Sequence, residues 1–242
     1  MSMDYYSDEV FSVPGSEVVA KAVADGMTWA LLNYLQQWCL SNSFSAKGVS
    51  VLVKVYHTLG CHTNHWFLSE KYLLGGSAGE AKIPGSVAAL GLDIGTRINQ
   101  FATRFEQPRA DSLWGERDLI LKSLRADPQS FAAWLHLITE YAELGELLEA
   151  VWILFVVRMN VPASAATAAA FREQLDLIKI CGTSGGFWAF VAEDAFLSSV
   201  SEILAGDKPR EEIADSVGNL FASFLALSLN RNDLLRPFAW PN

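Results

Sequence analysis

The chain is poor in cysteine, poor in charge and without a long apolar run, and each shortage removes a class of protein. Its 3 cysteines, Cys39, Cys61 and Cys181, fall at no regular spacing, which excludes a disulfide framework and fits a reducing compartment. The longest apolar candidates, Val151–Val157 and Leu220–Leu229, are far too short to span a bilayer, so no membrane partner is expected. The N-terminal residues are acidic and lack the basic start and apolar centre of a secretory signal, so a cytosolic-type chain is expected. Charged residues make up only 19 %, and the formal net charge is -9. Nucleic acid would be repelled by such a surface everywhere except at a local basic patch. Strand-like alternation is almost absent.

What the chain has in quantity is apolar surface. Hydrophobic residues make up 51 %, with 8 Trp and 14 Phe, and mean hydropathy is +0.20. So rich a composition suggests that some apolar surface is hidden against neighbouring copies. Residues 1–15 read as a flexible arm ending at Pro14-Gly15. Ser16 caps a helix whose apolar positions run at three- and four-residue spacing to Trp38. Ser45 caps a second, stopped by Gly60, although Val51, Val53 and Val55 also permit a strand. Residues 75–86 form a Gly/Ser/Pro loop, and a helix is expected from about Val87 to Phe105.

Further helices are expected from Asp111 or Ser112 to Arg125, from the Asp127-Pro128 start to Leu144, and from Glu146 to Met159. Others fit 164–180, 187–205 and 209–229. The expected fold is therefore all-α: a four-helix-bundle-like core over residues 16–181 with a helical C-terminal extension, 182–242. Trp29, Trp38, Trp134 and Trp152 are candidates for core or interface packing.

Three groups of residues are candidates for chemistry. The stretch from Arg97 to Arg125 holds five of the chain's ten arginines, with Lys122 and four acids. It carries a net +2 against -11 for the remainder, as a phosphate-binding strip would. His57, Cys61, His62 and His65 lie within nine residues and are zinc-ligand types. On one straight helix His57 and His65 would stand about 12 Å apart, too far to share an ion. Gly60 and Asn64 suggest a turn here, however, and a metal-dependent helical enzyme on these four residues is the alternative. Trp134, Leu137, Tyr141, Gly145, Ala150 and Pro162 have the spacing of one tetratricopeptide repeat, with no second copy, and read as a tight helical hairpin able to serve an adaptor. No nucleophile elbow, phosphate loop or catalytic triad is present, and no enzyme and no cofactor are expected.

Trp29-Ala-Leu-Leu-Asn-Tyr-Leu and Leu40-Ser-Asn-Ser-Phe44-Ser lead into a Val-rich helix. Leu90-Gly, Thr96-Arg97, Gln107-Pro108, Leu113 and Arg117-Asp118 follow, and then Val161-Pro162 with Phe171-Arg-Glu173 and Leu175. In this order the segments, covering roughly residues 28–180, resemble the coat proteins of rod-shaped plant RNA viruses, of the tobamovirus and hordeivirus type. The family's paired arginines stand here as single residues, Arg97 before Ile98 and Arg117 before Asp118, and about sixty residues after Ile180 have no counterpart. The resemblance implies a capsid protein that self-assembles with its own copies into a helical particle around single-stranded RNA. Arg97, Arg104, Arg109 and Arg117 would contact phosphates. The implied location is the virion and the cytoplasm of the infected cell. Excess carboxylate at Glu140, Glu143, Glu146 and Glu149 would make assembly sensitive to pH and divalent cations.

Overall fold

A computed structural model describes residues 28–41, 46–59, 61–69, 113–162, 164–183, 186–206 and 208–230, with isolated positions between 17 and 25. The described part is all-α, with no strand. In chain order the helices are α1 (Thr28–Ser41), α2 (Ala46–Leu59), α3 (His62–Leu68), α4 (Leu113–Ala126), α5 (Phe131–Glu143), α6 (Leu147–Asn160) and α7 (Ala165–Thr183). A 3-10 turn (Ala189–Ala192), α8 (Asp194–Ala205) and α9 (Arg210–Asn230) follow. The valines of α2 are helical, not extended, because Val49, Leu52, Val53 and Tyr56 at helical spacing all face the core.

The centre of the molecule is α6. Every residue from Leu147 to Arg158 is buried, because α3, α5, α7, α8, α9 and the 3-10 turn all pack around it. A helix apolar on all sides requires this surrounding. The hairpin between α5 and α6 turns at Gly145, whose φ of 77° suits a residue without a Cβ. Before α5, Asp127–Ser130 form a turn, and Pro128 stands in that turn, not in the helix's first turn. Its carbonyl accepts the Trp134 indole N–H at 2.9 Å, which ties the turn to the core.

One hydrophobic cluster runs from Leu31 to Phe221. Phe221 of α9 lies edge-on to Trp152 at 5.0 Å and to Phe155 and Phe196 at 6.2 Å. The described residues after 181 thus share one core with those before it. Arg158 fixes the junction: its guanidinium donates to the carbonyls of Leu204 and Gly206 at the C-terminus of α8, where the helix dipole favours a cation. Among the described residues only Leu119 and Ile180 are large hydrophobics left exposed, at 65 % and 64 %. Most of the apolar side chains of the described part are taken up by its own core.

Of the four tryptophans singled out, Trp134 and Trp152 are buried and Trp38 is partly buried, while the side chain of Trp29 lies outside the described residues. The helix expected from Ser16 to Trp38 is interrupted: Glu17, Lys21, Ala22 and Ala24 are helical, Asp25 is in a turn, and α1 starts at Thr28. The helix expected over 87–105 and the arm over 1–15 lie outside the described residues.

Close approach of α1 and α2 depends on Gly48, where a Cβ would overlap the Trp38 ring and press on the Cys39 sulfur. Gly48→Ala should therefore lower the unfolding free energy by about 1–3 kcal/mol, despite the better helix propensity of alanine. Urea denaturation measures this; a stabilised variant would mean the two helices are not so closely packed.

Candidate functional site: buried carboxylates beside a histidine junction

Two glutamates open α6. Glu146 is its N-cap residue and Glu149 is in its first turn, where the helix dipole favours negative charge. Both point inward, 1 % and 0 % exposed. Glu146 Oε1 accepts Gln36 Nε2–H of α1 at 2.9 Å. Its Oε2 accepts Asn64 Nδ2–H of α3 at 2.5 Å and the Trp188 indole N–H at 2.9 Å. Each of these partners is a donor, the arrangement an acceptor-only carboxylate needs when removed from water. The Tyr56 hydroxyl of α2 joins them, accepting Gln36 Nε2–H at 2.7 Å and Trp188 Nε1–H at 2.9 Å. Glu149 Oε2 accepts the backbone N–H of Thr63 at 3.1 Å, one of the otherwise unpaired donors in the first turn of α3. Its carboxylate therefore lies between the positive ends of two helices.

Burial is the main reason the Tyr56 phenol is held well above its ordinary 10.0, with Glu146 next and Cys61 a smaller cause; the hydrogen bonds from Gln36 and Trp188 act the other way. Burial also pushes the Cys39 thiol up to about 12. Neither group is poised for chemistry near neutral pH. This network is a structural tie: it joins α1, α2, α3, α6 and the segment before the 3-10 turn. It also corrects the expected carboxylate cluster. Glu146 and Glu149 are interior, and of that set only Glu143 is exposed, with Glu140 half-buried. The sequence signal was acids at a helix start, but nothing in it shows them facing inward.

Against the tie stands the histidine segment. The chain turns between α2 and α3, with the Cys61 N–H donating to the Tyr56 carbonyl at 3.1 Å and the His65 N–H to the Cys61 carbonyl at 3.0 Å. This brings the His57 and His65 rings to 5.4 Å between centroids, tilted by 49°. Cys61 is instead fully buried, and the side chain of His62 lies outside the described residues. Among the described residues no group of three or more His, Cys, Asp and Glu is placed to hold one metal ion.

Of the arginine strip, Arg97, Arg104 and Arg109 lie outside the described residues, and Arg117 is in α4 with its side chain outside them. Lys122 and Arg125, further along α4, are exposed. A groove of about 180 Å3 between α7 and α8 has an apolar floor of Phe171, Leu175 and Leu204, with Arg172 and Ser201 beside it. It contains no acid–base pair. No helix of the described residues is long and apolar enough to cross a membrane. No family model, curated protein or solved structure matches this chain.

Two outcomes follow from the network. Glu146→Gln replaces one acceptor oxygen by a donor facing donors, and should cost about 1–3 kcal/mol of stability for the group left unpaired; equilibrium unfolding reads it. The second concerns alkali. Because folding raises the Tyr56 pKa above the ordinary 10.0, the unfolded chain loses that proton first. Stability is fully kept below pH 10 and is lost as pH rises through and beyond it. In an ultraviolet tyrosine titration, Tyr56 should ionise only with unfolding.

Proposed function

We propose that this chain is a structural, non-enzymatic coat subunit that assembles with copies of itself and packages single-stranded RNA in a helical particle. Arg97, Arg104, Arg109 and Arg117 hold phosphates without reading sequence. The matching locations are the virion and the cytoplasm of an infected cell.

The observation that carries this reading is the ordered resemblance, taken with where its segments fall. The first block coincides with the helix pair α1 and α2, and the arginine-bearing block runs into α4. Among the described elements helix α4 packs mainly on α5, with Leu119, Lys122, Ser123 and Arg125 exposed. Lys122 and Arg125, the described basic side chains of the strip, are thus on the open face of α4. A few cations per subunit suffice, because the contacts repeat along an assembly.

Two further observations favour a non-enzymatic role. The buried carboxylates are engaged in holding helices together, and the described groove has no acid–base pair. The adaptor reading is weaker, because α6, half of the hairpin that would receive a peptide, is buried on every side.

Electron microscopy of the purified protein between pH 5 and 8, with and without single-stranded RNA, tests the reading directly. Rods or stacked discs are expected; uniform small particles under every condition would remove it. In a binding assay across salt concentrations, replacing Arg97 and Arg117 by Ala should weaken RNA binding. It should also flatten the log–log salt slope by about 1.4 for two lost phosphate contacts. An unchanged slope would count against these arginines.

A further inference from the structure

We propose that His57 and His65 form a bidentate site for a divalent transition-metal ion, bridging α2 and α3. The inference is independent of the coat reading. It rests on distance: on a straight helix these residues would stand about 12 Å apart, but the turn at Cys61 brings their rings to 5.4 Å. A zinc-like ion lies about 2.0–2.1 Å from an imidazole nitrogen, hence about 3.2 Å from the ring centroid, and a tetrahedral angle then places two centroids about 5.2 Å apart. The observed separation fits that geometry.

Both rings are reachable, with His57 exposed and His65 half-buried. Neutral imidazole suits zinc, copper and nickel ions, whereas calcium and magnesium take oxygen ligands. Two protein ligands leave the remaining positions to water. The cysteine of the same segment is not part of the site, since Cys61 is buried. The ion's effect follows from its position. Helix α3 presents Thr63 to Glu149 and Asn64 to Glu146. A clamp between α2 and α3 therefore holds the helix that completes the buried network, and a ligand that binds only the folded chain stabilises it.

The test is calorimetric titration of zinc(II) into the tag-free, metal-stripped full chain, alongside His57→Ala and His65→Ala. Circular dichroism of each variant checks that it folds, which His57→Ala should do readily because that side chain is exposed. One ion per chain is expected. Loss of even an outer-shell partner commonly weakens a metal site about 10–100-fold, so removing one of two direct ligands should weaken binding by at least about tenfold. Zinc should also raise the melting temperature of the wild type and not of His57→Ala. Absence of binding to the wild type would mean that the two rings merely pack together, and would overturn the proposal. So would zinc binding with equal affinity to both variants, which would place the ion elsewhere.

Discussion

The Glu146 carboxylate is the constraint on which the helical core is organised. A charge removed from water must be met by donors, and leaving it unmet costs several kcal/mol. Here the donors come from Gln36, Asn64 and Trp188, which are 110, 82 and 42 residues away along the chain. Satisfying one carboxylate therefore fixes α1, α3 and the segment before the 3-10 turn against the start of α6. Hydrophobic burial would accept many helix arrangements of similar area. This set of directional bonds narrows the choice, because sliding any one of the helices leaves a buried polar group without its partner.

Around that point the apolar residues supply the bulk of the driving force. Burying a Leu, Val, Ile or Phe side chain contributes about 1.5–3 kcal/mol, and α6 is lined by such residues on all sides. Two groups of aromatic residues pack around it. Trp188 gathers Tyr56, Phe67, Phe187 and Phe190 near the carboxylate tie, while Phe221 gathers Trp152, Phe155 and Phe196 near α9. Among the described residues the apolar side chains thus fill one interior.

Helix existence was legible in the sequence wherever period and punctuation agreed. Gly145 marked the hairpin and Gly60 the end of α2, and Pro162 followed the end of α6. That the helices after 181 share the core of those before it was not legible, because the contacts of Phe221 with Trp152 and Phe155 are long-range. Nor was the close approach of α7 to the 3-10 turn, where a Cβ at Gly182 would overlap Ala192. The candidate site was half legible. Histidines clustered in sequence were visible, but straight-helix geometry argued against their meeting, and only the turn between α2 and α3 decides that His57 and His65 do. Glu146 and Glu149 read as surface acids because a helix start is a common place for solvated carboxylates.

The sequence alone determined the all-helical class and the segregation of arginine into one strip, because helix periodicity, breakers and charge are local properties of the chain. Which acids are interior, which imidazoles are neighbours and which helix is central were decided only by tertiary structure. Each depends on partners tens of residues away, whose meeting is set by the joint packing of several helices and leaves no mark in any single segment.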